Sequence, residues 1–372
     1  MINRLNAEQA LPAFRALYHG YGYKQYKMSN FEEYDLYVAN KSFLASENIV
    51  TFPGVGGRLM ALRPDVTLSI VKHAATGAGE LEKVYYNETV YRPEGGELKE
   101  ITQVGLECIG RIDGYAMGEV VLLAAKSLAL VDEAYLLTLS HMGIVSALLE
   151  EALAAAGEDA VGTLREGLLA CIGAKNAHGL RALCAEAGIA ASADRLCALM
   201  QIGGAFGDAM ADLRALCSGN AAAMAGVREL EQIAGMLAMC GCEGRLRLDF
   251  SLVNDLQYYN GVIFKGYLRS LPCELLSGGR YDRLARRFGR VGAIGFAINT
   301  DLLERLDGAE DEYDVDLLLT YTPDVSCEAI CRAAEEFGRG GQSVRVQPAD
   351  APVKLKFRRK MKVNEEGVAC DA

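Results

Sequence analysis

The usual signatures of catalysis are missing from this sequence. It has no glycine-rich phosphate loop, no nucleophile elbow, and no dinucleotide-binding glycine pattern opening a helix after a strand. The glycines at 54–57 fall inside a hairpin, where turn geometry accounts for them. Histidine is scarce: the four are His19, His73, His141 and His178, and none has a histidine or cysteine partner at metal-ligand spacing. Cys240-x-Cys242 and Cys327-xxx-Cys331 are not zinc spacings and read as structural thiols. No metal and no cofactor is expected. The eleven cysteines are an odd number with no framework, and the opening MINRLNAEQA lacks the basic-then-apolar plan of a signal peptide. A reducing, cytoplasmic setting follows as the expectation. No uncharged apolar run reaches about 18 residues, so no membrane span is expected. Positive charge is also in deficit. With 38 Lys+Arg against 49 Asp+Glu the net charge is −11, which disfavours a broad nucleic-acid footprint.

What the chain does have is 51% apolar and 23% charged residues, the composition of a globular protein. At about 150 residues per domain, its length suggests two to three domains. Residues 1–20 read as a helix that stops at Gly20 and Gly22, and 23–37 as an extended segment. Two hairpins follow, at 48–63 and 83–110, interleaved with helical stretches at 66–75 and 118–131. Strands paired through hairpins predict an α+β fold on an antiparallel sheet, not a doubly wound one. From 141 to 243 the chain is rich in Ala, Leu and Gly and reads as short helices at 144–156, 177–187, 192–201 and 224–240. Strand signals resume at 246–250, 261–268 and 292–297. The expected organisation is a core of 1–140 and 244–306, a helical insertion at 141–243, and a short α/β appendage at 307–372 with a βαβ plan. In that appendage Lys354, Lys356, Arg358, Arg359, Lys360 and Lys362 alternate with Val353, Leu355 and Phe357, as in a solvated edge strand guarded by charge.

Three segments carry chemistry when taken together. In Leu62-Arg63-Pro64-Asp65-Val66-Thr67 a strand passes through proline into a helix, with a carboxylate and a hydroxyl at the junction; Asp65 and Thr67 are equally good helix-capping residues. In the second hairpin, period-two alternation places Gln103, Gly105 and Glu107 on one face, and Thr102, Val104 and Leu106 on the other. A face with Gln and Glu beside a glycine suits a small polar ligand. The third segment is Asn254-Asp255-Leu256-Gln257-Tyr258-Tyr259-Asn260-Gly261, followed by Ser277-Gly278-Gly279-Arg280-Tyr281-Asp282.

In this order the three segments resemble the catalytic core of class II aminoacyl-tRNA synthetases of the histidyl type, over roughly residues 8–305. LRPDVT resembles the family's LRPEGT element, and YRPEGGELKEITQVGLECIG resembles motif 2. NDLQYYNGVIF is similar to the histidine-specificity motif, and GGRYDRL with GAIGFAIN to the approach to motif 3. The resemblance implies a six- or seven-stranded antiparallel sheet, a dimer interface and a helical insertion.

The departures from the family bear on chemistry. Asn254 stands where the specificity motif begins with an arginine that meets the α-phosphate during adenylate formation, and an amide cannot supply that charge. Leu302 stands where motif 3 places an ATP-clamping arginine. Using Arg305 instead would need a three-residue insertion within a helix, about 300° of rotation at ~100° per residue. Arg92 matches the motif 2 arginine and is a candidate anion contact, Ser29 takes the motif 1 proline position, and the anticodon-binding domain is reduced to 313–372. The amino-acid pocket persists: Asp65 and Thr67 for an α-ammonium, Gln103 and Glu107 for polar atoms, Tyr258 and Tyr259 as walls for an imidazole. A synthetase fold that keeps this pocket is similar to the regulatory subunits of ATP phosphoribosyltransferase, and Thr102-Gln103 matches their FTQ pattern better than the synthetase FHQ. That resemblance implies a subunit with no turnover of its own. It would activate a short-form catalytic partner, self-dimerise within a hetero-octamer of four and four chains, respond to histidine, and bind neither tRNA nor membrane. Two alternatives remain at this point: a histidine–tRNA ligase, and a free-standing amino-acid sensor.

Overall fold

The computed structural model describes residues 7–44, 48–74, 80–154, 156, 161–253, 258–305, 313–364 and 369–371. They fall into two compact units, Met1–Leu306 and Asp307–Ala372. The strands of the first are β1 (Lys24–Gln25), β2 (Phe31–Glu33), β3 (Thr51–Pro53), β4 (Leu59–Leu62), β5 (Leu81–Glu94), β6 (Glu97–Gly110), β7 (Tyr135–His141), β8 (Gly203–Ala205), β9 (Leu246–Asp249), β10 (Val262–Leu268), β11 (Glu274–Arg280) and β12 (Ala293–Asn299). Its helices are α1 (Ala7–Gly20), α2 (Tyr34–Val38), α3 (Thr67–His73), α4 (Gly114–Val131), α5 (Met142–Leu153), α6 (Val161–Gly173), α7 (Ala177–Glu186), α8 (Ala190–Gln201), α9 (Phe206–Cys217), α10 (Ala221–Met239) and α11 (Asp282–Arg287).

Both expected hairpins form. The second is the spine of the fold: β5 and β6 pair from Leu81↔Gly110 to Glu94↔Glu97, turning through Gly95 and Gly96, whose φ of 63° and 89° favour glycine. The main sheet has nine strands in the order β1-β5-β6-β12-β11-β10-β7-β9-β8. This corrects the expected six- or seven-stranded antiparallel sheet. The central strands β5 to β7 are antiparallel, but β1 joins β5 and β9 joins β7 in parallel. Parallel neighbours need a long crossover, which α5 to α10 supply between β7 and β9. The remaining strand, β8, is Gly203-Gly204-Ala205, which carries no β-forming side chain to announce it. The helical reading of 141–243 extends to α6, where Leu164, Leu168 and Ile172 are buried, and to α9. Residues 23–37 are only partly extended and end in α2.

Alternation along β6 separates two cores. Val104, Leu106 and Cys108 pack with α1 and α4 on one side, while Ile109 joins Val66, Ile70, Tyr86 and Leu284 on the other. Helix α4 is long and apolar enough to cross a membrane, yet 72% of it is buried inside the fold, where it backs the sheet. Strand β6 outruns β12, whose last pair is Gln103↔Asn299. At the next rung side chains take over: Asp301 Oδ2 accepts from the Thr102 N–H at 3.0 Å, and Thr300 Oγ1 donates to the Thr102 carbonyl at 3.1 Å.

The small sheet β2-β4-β3 is fastened to the spine by Arg63, which is fully buried. Its Nη2 meets Glu88 Oε2 at 2.9 Å and the Thr89 carbonyl at 2.8 Å; Nη1 donates to the Ser29 carbonyl at 2.6 Å. The Arg63 carbonyl in turn accepts from the Tyr91 N–H.

In the second unit, β13 (Val315–Tyr321), α12 (Cys327–Arg339) and β14 (Val344–Pro348) form the expected βαβ, followed by β15 (Phe357–Val363) and β16 (Ala369–Asp371). The order is β14-β13-β15-β16, so β15 is interior and not the edge strand expected at 353–357. The apolar phase of Phe357 runs on to the buried Met361 and Val363, which carries the basic run into the sheet.

Arg63→Ala strands the Glu88 carboxylate and two carbonyls. The expected loss is about 3 kcal/mol, read as a lower thermal midpoint; an unchanged midpoint would show that Arg63 does not fasten the small sheet.

Candidate functional site

On the side of the sheet away from α4, a cavity of about 310 Å³ opens over β6, β12, β11 and β10. Its floor is made of small residues: Gly295 pairs with Glu107, Ala297 with Gly105, and Ser277 with both Ala297 and Lys265. All seven residues singled out from the sequence, Asp65, Thr67, Arg92, Gln103, Glu107, Tyr258 and Tyr259, line it.

Glu107 is the centre. It is 1% exposed, and Thr67 Oγ1 donates to its Oε1 at 2.7 Å while the Tyr281 hydroxyl donates to Oε2. A Cβ at Gly295 would overlap this carboxyl, so the glycine opposite makes the room. Burial pushes the Glu107 pKa up to about 8; the two hydrogen bonds pull it down, and the nearby Asp65 charge pushes it further up. Asp65 is itself raised by burial. It accepts from the Leu68 N–H at 2.8 Å in the first turn of α3, as a capping residue does, and it also lines the cavity. With Glu107 holding its proton to about 8 and Asp65 also raised, a positively charged guest would favour the ionised carboxylates and draw that proton off.

Aromatic rings close one side. Tyr258 meets Tyr259 edge-on at 4.6 Å and Tyr281 at 5.5 Å, and Phe43 stands 6.1 Å from Tyr258. Burial raises Tyr86, Tyr258 and Tyr281 well above the ordinary phenol value, so their hydroxyls remain donors. Arg92 holds the opposite rim, its Nε donating to the Pro64 carbonyl at 3.0 Å. Sequence reasoning missed Tyr281 as a site residue, although it follows the glycine cluster that had drawn notice. It also missed Tyr86, Ser277 and the Lys265–Glu274 pair, 2.5 Å apart at the cavity's far end. Leu302, at the motif 3 position, packs against the core behind the sheet and not into the cavity. Asn254 lies outside the described residues. No cluster of three metal-ligating side chains occurs among the described residues.

The histidyl-tRNA synthetase family model matches residues 4–303. An ATP phosphoribosyltransferase regulatory subunit of Clostridium kluyveri is 30% identical over 332 residues, covering 86% of this chain and 83% of that protein. One of Bacillus licheniformis is 31% identical, covering 88% and 83%. Among solved structures, a Bacillus halodurans protein described as an ATP phosphoribosyltransferase regulatory subunit/histidyl-tRNA synthetase superposes with a TM-score of 0.80 at 24% identity, over 96% of this chain and 93% of that one. A chain of the ATP phosphoribosyl transferase complex of Thermotoga maritima gives 0.63 at 19% identity, over 79% and 97%. At these identities the solved structures speak for the fold.

The raised Glu107 pKa has a consequence for stability. The unfolded chain releases this proton near the ordinary glutamate value of 4.5 and the folded chain holds it to about 8. The folded state therefore binds more protons between those values, and the site's contribution to stability falls as pH rises through that window. Glu107→Gln removes the slope. Its thermal midpoint relative to wild type is expected to be higher at pH 8.5 than at pH 5; parallel profiles would refute the assignment.

Proposed function

The chain belongs to the histidyl-tRNA synthetase family and, within it, to the regulatory subunits of ATP phosphoribosyltransferase, and from that premise we propose that it is a non-catalytic subunit whose synthetase-like pocket holds free histidine. The observation that carries this reading is the buried Glu107, flanked by Thr67, Asp65 and a tyrosine wall. The α-ammonium of the amino acid goes to Asp65 and Thr67, the imidazole lies against Tyr258 and Tyr259, and a ring nitrogen meets Glu107 in a charge-assisted hydrogen bond. Gln103 holds a further polar atom, and Arg92 is the cation placed to meet the carboxylate.

Adenylate chemistry needs cations aimed at developing phosphate charge. In this chain Asn254 and Leu302 replace two of the family's arginines, and Leu302 supports the reading by being directed into the core. Binding without turnover is what remains. A regulator needs only a pocket whose filled and empty states bias a partner interface by different amounts. The partner is a short-form ATP phosphoribosyltransferase catalytic subunit in the first step of histidine biosynthesis. The chain activates it, and histidine, the end product, reverses the activation. Within the assembly the chain self-dimerises in a hetero-octamer, without tRNA and in the cytoplasm. The organisation proposed is a core of 1–140 and 244–306, a segment at 141–243 between its halves, and the appendage 307–372.

The test is phosphoribosyl-ATP formation by the short catalytic subunit, with and without this chain, titrated with histidine. Activation that histidine reverses is the expected outcome. No effect at any ratio, or histidine-stimulated ATP–pyrophosphate exchange by this chain alone, would overturn the proposal. Glu107→Gln, which loses a charged hydrogen bond, and Tyr258→Ala, which loses an aromatic wall, are each expected to blunt histidine inhibition by about tenfold, with complex formation measured by size-exclusion chromatography intact. Full histidine sensitivity in both variants would place the effector elsewhere.

A further inference from the structure

Behind the tyrosine wall lies a second polar cluster that the pocket itself does not use. His141 ends β7 with its side chain 5% exposed, and its Nε2 donates to Glu229 Oε2 on α10 at 2.9 Å. The other Glu229 oxygen stands 3.9 Å from Arg280 Nη1 at the end of β11. Arg280 Nε donates to both oxygens of Asp282, at 3.1 and 2.9 Å. Asp282 accepts from Asn260 Nδ2 at 3.1 Å and its own N–H donates to Asn260 Oδ1 at 2.7 Å, while the Asn260 N–H donates to the Arg280 carbonyl at 3.0 Å. These bonds close a ring between residue 260 and residues 280–282.

The two segments so joined carry the wall. Tyr258 and Tyr259 immediately precede Asn260, and Tyr281, whose hydroxyl holds Glu107, lies between Arg280 and Asp282. The packing around the cluster is close. A Cβ at Gly261 would stand 2.8 Å from Arg280 Cδ, and one at Gly226 of α10 would stand 2.8 Å from His141 Nδ1. Burial pushes the Glu229 carboxyl up, but the His141 hydrogen bond and the charges of His141 and Arg280 more than offset it, so the group sits below its ordinary value and is an anion. A charged carboxylate on a helix thus faces, at ion-pair distance, a guanidinium hydrogen-bonded to Asp282, and the chain on either side of that ring carries three aromatic rings.

We infer that Glu229 and Arg280 are positioning residues for the histidine pocket, the anion on α10 holding Arg280, and Arg280 with Asp282 and Asn260 holding Tyr258, Tyr259 and Tyr281. The inference rests on the reading of the cavity as a histidine site. By reciprocity of linkage, filling the pocket is then felt at α10.

The experiment uses the full-length chain and L-histidine, followed by the tyrosine bands of near-ultraviolet circular dichroism, which tryptophan does not obscure because the chain has none. Glu229→Gln keeps the shape and the His141 contact but removes the charge facing Arg280. It is expected to raise the histidine Kd by about fivefold to tenfold and to shrink the histidine-induced tyrosine signal at saturation, with the thermal midpoint unchanged. A Kd and signal equal to wild type would overturn the inference alone, as would an affinity loss that merely tracks a lower midpoint. Should Glu229→Gln fail to fold, Arg280→Lys decides by the same criteria. Failure of the wild type to bind histidine overturns the pocket reading and this inference with it.

Discussion

A carboxyl group occupies a place in the central sheet where an apolar side chain would ordinarily lie. Burying Glu107 is unfavourable unless its oxygens are satisfied, and the surrounding fold is arranged to do that. Thr67 approaches from the start of α3, Tyr281 from the end of β11, and Gly295 opposite leaves the volume the group needs. Two of these come from strand-to-helix junctions and the third from the middle of β12, so the position of one carboxyl ties together three otherwise separate segments of chain. The sheet's small-residue floor and the tyrosine wall follow from the same requirement, because a guest must reach a group that water does not.

The contrast with a catalytic site is one of charge. Phosphoryl and adenylyl transfer need preorganised cations around the substrate, whereas the enclosed end of this cavity carries two carboxyls, each with a raised pKa, and places Arg92 and the paired Lys265 at its margins. That lining lacks the clustered cations a polyphosphate would need. On the reading proposed above, the chain would keep the recognition half of a synthetase without the half that handles phosphate, and an enzyme's specificity would serve as a sensor's. The fold need not change for this to happen.

The pocket was legible because strand alternation is a strict rule. Once β6 was recognised, Gln103 and Glu107 had to share a face, while Asp65, Thr67, Arg92, Tyr258 and Tyr259 were found through the resemblance to the synthetase motifs. Tyr281 was not legible, since its role depends on a register between β11 and β12 that no local pattern encodes. Arg63 was hidden for the opposite reason: an arginine beside a proline reads as exposed and functional, and only the tertiary fold shows it fully buried against Glu88 and two carbonyls. The sheet margins escaped because β1 and β8 are two and three residues long and are held as strands by their neighbours more than by their own side chains.

The overhang of β6 beyond β12 bears on how the chain behaves at high concentration. An uncovered strand edge is a template on which another chain can add. Here the ladder does not end raw: Thr300 and Asp301 occupy the donor and acceptor at Thr102, and the exposed stretch beyond carries Glu97, Lys99 and Glu100. A second copy approaching edge-on would have to displace two side-chain hydrogen bonds and bury three charges to gain a few backbone bonds. The β5–β6 hairpin is thereby a poor template for edge-to-edge pairing.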